Sequence, residues 1–194
     1  MLNKPKLSLA LVGVLVLGAC AQSGVVVSRV DYAFQYEPAE ISAAGGGDRQ
    51  MKVSVLGNPF GAPAEAVEAS VIESMQGRTF GIPVNFSANP ENPDPSRAYH
   101  VVLAFNPKGI RTPGELCKAG EGMTFVNPDP ETTTLMGAFC SSHSYLSHAI
   151  ARADAVAGPG SEQLDGLVAQ LTLALFPSDN TNRQDEGDTG VRPN

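Results

Sequence analysis

Basic residues are scarce in this chain. It has 13 lysine and arginine residues against 20 aspartate and glutamate residues, which gives a formal net charge of −7. Binding to nucleic acid relies on clustered positive charge that neutralises phosphates, and the sequence contains no long basic run. The same acidic balance opposes attachment to anionic lipid by charge alone. We therefore expect no nucleic-acid partner, and any attachment to a membrane must have another basis.

An apolar run long enough to cross a membrane is also missing. The longest run extends from Leu7 to Ala19 and is interrupted by Ser8. A transmembrane helix needs roughly 20 apolar residues, so this run is too short. Lys4 and Lys6 precede it. A short positive segment followed by about a dozen apolar residues is typical of a secretory signal, so we expect the chain to be exported.

The apolar run ends in the quartet Leu-Gly-Ala-Cys at residues 17–20. This quartet resembles the lipobox of bacterial lipoprotein precursors, in which an aliphatic residue and two small residues precede a cysteine. The resemblance covers residues 1–21 and implies that a signal peptide of residues 1–19 is removed and that Cys20 carries the lipid. In this family an aspartate after the cysteine retains the protein at the inner membrane, so Ala21 implies the outer membrane. An ordinary signal cleaved at an A-x-A-like site, or a cysteine that follows an anchor helix by chance, is the alternative.

Cysteine is otherwise rare. Apart from Cys20, the chain contains only Cys117 and Cys140. Outside the cytoplasm an even pair of cysteines predicts a disulfide, which is the interpretation we favour. It requires that the two Cα atoms lie within about 7 Å of each other. A reactive or metal-bound thiol is the alternative, because His143 follows Cys140 closely.

Motifs of catalytic sites are lacking as well. The chain contains no G-x-S-x-G elbow, no H-E-x-x-H zinc motif, no P-loop and no dinucleotide fingerprint. Its three histidines are His100, His143 and His148. His100 lies in an apolar segment and is interpreted as structural, and no pattern of carboxylates accompanies the other two as metal ligands. We expect no catalytic residue, no metal and no cofactor. A periplasmic enzyme or small-ligand binder that uses the His143/His148 region is the alternative.

Hydrophobic periodicity indicates both strands and helices. Alternating apolar residues predict half-buried strands, and apolar residues at spacings of three and four predict helices. The segment 98–105 is apolar on both faces and is predicted to be a central strand. Residues 43–48, rich in glycine, and residues 107–122 are predicted to be loops. The predicted strands are 29–36, 51–56, 98–105 and 132–141, with a short one near 82–86, and the predicted helices are 63–76 and 162–175.

Residues 145–157 fit two structures. They could pair back on the preceding strand as a hairpin, which we favour, or form a helix. Two amphipathic helices are too few to cover both faces of a large sheet, but they can cover one face of a small one. The element order therefore predicts an α+β fold in which two helices pack on one face of a small, mostly antiparallel sheet, a two-layer sandwich.

The expected organisation is a signal peptide, a tether, one domain and a tail. Residues 20–28 form the lipidated tether, residues 29–176 a single periplasmic α+β domain, and residues 177–194 a disordered polar tail. We expect an envelope lipoprotein on the outer membrane that faces the periplasm. The anchor and the lack of catalytic motifs favour a non-enzymatic module that binds an envelope protein or helps to assemble an envelope complex.

Overall fold

A computed structural model describes residues 24–81, 83–95, 98–109, 112–118, 123–126 and 131–184. Residues 1–23, which include the predicted signal peptide and Cys20, and residues 185–194 lie outside these ranges. The strands are β1 (Val26–Tyr32), β2 (Met51–Leu56), β3 (Phe86–Ser87), β4 (Tyr99–Phe105), β5 (Pro107–Lys108), β6 (Thr124–Phe125), β7 (Thr132–Ser141) and β8 (Ser144–Asp154). The helices are α1 (Pro38–Gly45), α2 (Ala64–Met75), α3 (Pro113–Cys117), α4 (Glu162–Leu175) and α5 (Thr181–Gln184).

The main sheet has six strands in the order β1-β8-β7-β4-β2-β3. The pairs β1/β8, β8/β7 and β7/β4 are antiparallel, whereas β4/β2 and β2/β3 are parallel. The α+β composition is therefore as predicted, but a small and mostly antiparallel sheet is wrong, because this sheet is large and mixed. The physical reason is the crossover through α2, which returns the chain parallel to β2 and adds strands on that side. The predicted central strand is β4, which lies between β2 and β7.

One face of the sheet carries the two helices that periodicity predicted. Helix α2 buries Val67, Val71 and Met75, and α4 buries a stripe of leucine and valine side chains. The Ser161 hydroxyl oxygen accepts a hydrogen bond from the Leu164 backbone N–H and caps α4. Gly137 of β7 lies directly beneath α4, where a Cβ atom would come within 2.9 Å of Leu175. The glycine thus lets α4 pack close to the sheet.

The opposite face is covered in part by α3, a helix within the predicted loop 107–122. Leu116 and Cys117 of α3 are buried against Val102, Ala104 and Ala138 of the sheet. The prediction that helices pack on one face only is therefore wrong, because α3 packs on the other face in this second apolar cluster. The covering segment contains just five helical residues, so helical periodicity was too short to detect.

The N-terminal part of the domain also differs from prediction. Strand β1 begins at Val26, within the predicted tether 20–28, because Val25 and Val27 pack against the main core. Helix α1 occupies part of the predicted loop 43–48 and buries Ile41 and Ala44. A proline in its first turn suits a helix start, and its short length hides the apolar stripe.

The C-terminal segment is packed over more of its length than expected. The Tyr36 hydroxyl donates to the Pro177 carbonyl oxygen at 2.8 Å. Asn180 is buried, and its side-chain amide donates to the carbonyls of Ala33 and Tyr36 at 3.0 and 3.1 Å. The predicted disordered tail 177–194 is therefore wrong for residues 177–184. Polar side chains that bond to buried backbone carry no apolar pattern, which explains the error.

The ambiguity at residues 145–157 is resolved as a hairpin. Strand β8 pairs with β7 from Ser144 to Asp154, as favoured from the sequence. Within the described residues, no helix has the length and apolar character needed to span a membrane.

Candidate functional site

A disulfide links α3 to the main sheet on the face opposite α2 and α4. Cys117 ends α3 and Cys140 lies in β7, and their Cα atoms are 5.7 Å apart. Both residues are buried. The predicted pairing is therefore present, and neither thiol is free for metal binding or nucleophilic chemistry. The bond holds α3 against the sheet and places Lys118 at the rim of two clefts.

The larger cleft lies between α3, the β7–β8 turn and the segment that follows β1. Its volume is about 1140 Å³, and it is open to solvent. Its lining includes both aromatic and charged side chains. Among the lining residues are Tyr32, Phe34, Glu40, Glu115, Lys118, His143 and Tyr145. The mixture of aromatic, carboxylate and cationic groups makes this cleft the best-developed candidate for a small-ligand site.

His143 and His148 are not brought together. His143 lies exposed in the tight turn between β7 and β8, next to Ser142, whose φ of +53° is left-handed. His148 is five residues further along extended chain, roughly 15 Å at the rise of a strand. It pairs with Ala138 in β7 and with Asp31 in β1. The hairpin thus separates the two histidines, which the alternative of a shared site required to converge.

His148 belongs instead to a polar cluster beside the edge strand, in which His148 is buried and Asp31 is exposed. The residue is 6% exposed, its ring forms a hydrogen bond with the backbone of Arg29, and Nε2 is buried without a partner among the described residues. Burial lowers the pKa of His148 below its usual value of 6.5, and the negative charge of Asp31 acts in the opposite direction. The Tyr145 hydroxyl donates to Asp31 Oδ2 at 3.0 Å. Burial and this hydrogen bond both raise the pKa of Tyr145.

Burial of His148 makes the stability of the domain depend on pH. Unfolding returns the His148 ring to water, so the unfolded chain binds a proton more readily than the folded chain. The free energy of unfolding is therefore expected to decrease as the pH is lowered through 6.5, and His148→Gln is expected to weaken that dependence. Denaturant unfolding at pH values above and below 6.5 measures it. His143→Gln, in the exposed turn, is the matched control, and an equal effect of both substitutions would contradict the assignment.

His100 takes part in a second cleft on the same face. Its Nδ1 lies 2.9 Å from the Ala98 carbonyl oxygen, and strand register places it beside Lys52 on one side and Cys140 on the other. The cleft has a volume of about 770 Å³ and is lined in part by Lys118 and His143. A backbone partner in a nearly buried strand agrees with the structural interpretation of His100.

Comparison with known proteins adds little to this geometry. No family model matches the chain, and no curated protein matches it. Among solved structures, the chain is similar to the PelC dodecamer from Paraburkholderia phytofirmans, with 13% sequence identity and a TM-score of 0.42. It is also similar to a single-substitution variant of that dodecamer, with 14% identity and a TM-score of 0.40. Each match covers 80% of this chain and 99% of the other. The TM-scores are too low to carry an argument about function or assembly.

The described residues contain no group of three or more histidine, cysteine, aspartate or glutamate side chains arranged to hold a metal ion. They also show that Asp31, which sequence analysis did not single out, pairs with His148 in strand register and accepts a hydrogen bond from the Tyr145 hydroxyl. The register of β1 with β8 creates this cluster, and no local sequence signal predicts a pairing between segments more than 100 residues apart.

Proposed function

We propose that this chain is a cell-envelope lipoprotein, anchored to the outer membrane by lipid on Cys20, whose α+β domain faces the periplasm and binds or assembles an envelope protein. The observation that carries the proposal is the lipobox-like quartet at residues 17–20, immediately before the domain. The first strand starts only six residues after Cys20, so the domain remains within roughly 20 Å of the lipid.

The disulfide supports the proposed compartment. Paired cysteines persist in oxidising surroundings and are rare in a reducing cytosol. Cys117 and Cys140 are buried and bonded to each other, which leaves Cys20 as the cysteine outside the disulfide. This division suits a protein in which one cysteine carries lipid and the other two stabilise the exported domain.

The anchor is tested by Cys20→Ser in the full chain. We expect the substituted chain to leave the membrane fraction almost completely and to keep residues 1–19. Serine has no sulfur with which to form the thioether bond to the lipid, and removal of the signal peptide in the lipoprotein family depends on that bond. Cell fractionation and intact mass measure both effects. Cys117→Ala/Cys140→Ala, which removes the other two cysteines and leaves no unpaired thiol, is the control and should stay in the membrane fraction. Unchanged processing and fractionation of Cys20→Ser would contradict the lipid anchor.

The protein-binding role is tested separately by crosslinking in intact cells followed by mass spectrometry. A reproducible envelope protein crosslinked to the domain, and lost when residues of the large cleft are substituted, supports the role. Crosslinks that follow only protein abundance would contradict it.

Binding of a small ligand is the second candidate, favoured by the 1140 Å³ cleft. A periplasmic enzyme that uses the same region would also need groups around this cleft, and His143 is the histidine that lines it. A metabolite that co-purifies with the wild-type chain and is lost from a His143→Gln/Tyr145→Phe variant of unchanged fold would favour this candidate over protein binding.

A further inference from the structure

Exposed apolar side chains are concentrated at the start of the domain. Six large apolar residues are exposed in the described part of the chain. Three of them lie within nine consecutive positions, in β1 or just after it: Val26 is 64% exposed, Val30 is 43% exposed and Phe34 is 52% exposed. Grouped apolar side chains on one edge indicate a surface that contacts something other than water. We call Val26, Val30 and Phe34 the β1 edge.

The β1 edge is poorly suited to pairing with another strand. In the main sheet β1 is an outer strand, with β8 on its inner side. Its register with β8 shifts between Ser28 and Asp31, and Arg29 adopts a left-handed φ of +50°. Such a bulge interrupts the ladder of an edge strand and is a device that prevents edge-to-edge association. The bulge therefore disfavours a second copy, or a partner strand, as the occupant of this edge.

The position of the anchor indicates the occupant. Val26 is the sixth residue after Cys20, so a lipid on Cys20 keeps the start of the edge within roughly 20 Å of the bilayer. The opposite edge of the sheet, at β3, is five strand spacings away, roughly 24 Å further. The edge nearest the lipid is thus also the edge that exposes the grouped apolar side chains.

We propose that the β1 edge lies against the bilayer surface, with Val26, Val30 and Phe34 in contact with the lipid interface. This inference rests on the proposed lipid anchor at Cys20. Apolar side chains at an interface sit at the boundary of headgroups and acyl chains, where unpaired backbone groups of an edge strand still reach water and headgroups. Arg29 and Asp31 of β1 are opposite in sign, so the contact does not require anionic lipid and is compatible with an acidic domain. Because Phe34 also lines the large cleft, the contact would fix the orientation of the domain with that cleft next to the membrane surface.

The absence of tryptophan from the chain allows a direct test. Phe34→Trp and Phe80→Trp each introduce a single fluorescent reporter at an exposed phenylalanine, 52% and 57% exposed respectively. Phe80 lies between α2 and β3, on the side of the sheet away from β1. Both variants are prepared as the processed, lipidated full chain and bound to phosphatidylcholine vesicles with brominated acyl chains, which quench tryptophan only at short range.

We expect the fluorescence of the Phe34→Trp variant to be quenched several-fold more than that of the Phe80→Trp variant, and to shift to shorter wavelength on vesicle binding. A Val30→Glu substitution in the Phe34→Trp background should reduce the quenching, because it places a charge in the interface, while circular dichroism shows an unchanged fold. Equal quenching of both reporters would overturn the inference. Protection of the Phe34→Trp reporter from aqueous acrylamide without quenching by brominated lipid would also overturn it and indicate a second copy of this chain as the occupant instead.

Flotation of the wild-type chain with the same vesicles separates this inference from the proposed function. Flotation without preferential quenching of the Phe34→Trp reporter contradicts the membrane-facing edge and leaves the lipid anchor standing. Failure to float contradicts the anchor, and the membrane-facing edge fails with it.

Discussion

Replacing Phe139 with alanine is expected to lower the free energy of unfolding by about 3–5 kcal/mol. Phe139 of β7 is fully buried at the centre of the helix-covered face. Its ring centroid lies 5.2 Å from that of Phe176, 5.7 Å from that of Tyr99 and 6.5 Å from that of Tyr36. Truncation removes apolar burial and leaves a cavity that neither the rigid sheet nor α4 can close.

Equilibrium unfolding in urea measures this change. Phe80→Ala is the matched control, because it deletes the same atoms from an exposed position and is expected to change stability by less than about 0.5 kcal/mol. A loss for Phe139→Ala no larger than that of the control would contradict the placement of β7 under α4. Phe139→Ala should also loosen the packing of the C-terminal segment, because Tyr36 packs on Phe139 and donates a hydrogen bond to the Pro177 carbonyl oxygen.

Removing the disulfide is expected to destabilise the domain by about 3 kcal/mol on the chain-entropy account. The bond joins residues separated by 23 positions, and it constrains the unfolded chain over that whole segment. In the folded state it also holds α3, whose own five residues are too few to form a stable helix alone. The double variant Cys117→Ala/Cys140→Ala is preferable to a single one, because it leaves no buried free thiol.

The wild-type chain measured with and without reductant provides the control. Reductant should lower the unfolding midpoint of the wild type and leave that of the double variant unchanged. Proteolysis should then cut first near α3, since the bond is what ties that segment to the sheet. A double variant as stable as the oxidised wild type would show that packing of Leu116 alone holds α3 in place.

The sequence determined those features that depend on local pattern. The apolar stripes predicted α2 and α4, alternation predicted β2, and the threonine-rich and apolar segment at residues 132–141 predicted β7. The doubly apolar segment at residues 98–105 predicted a central strand, which is β4. The cysteine count, together with the expected export from the cytoplasm, predicted the Cys117–Cys140 pair. Each of these signals arises within a short window or from an inventory that needs no knowledge of distant contacts.

Only the tertiary structure decided how these elements combine. The parallel pairing of β2 with β3 and β4, the docking of α3 on the second face, and the packing of residues 177–184 all rest on partners far away in the chain. The same is true of the cluster in which Asp31 pairs with the buried His148 and accepts a hydrogen bond from Tyr145. The physical reason is that strand register and helix docking are set by burial and backbone hydrogen bonds between remote segments, which leave no periodic trace in either segment. The lipobox-like quartet that ends at Cys20, on which the proposed anchor rests, is the converse case, because it is a linear motif. The edge that we propose to lie on the membrane forms only when β1 takes its position in the sheet.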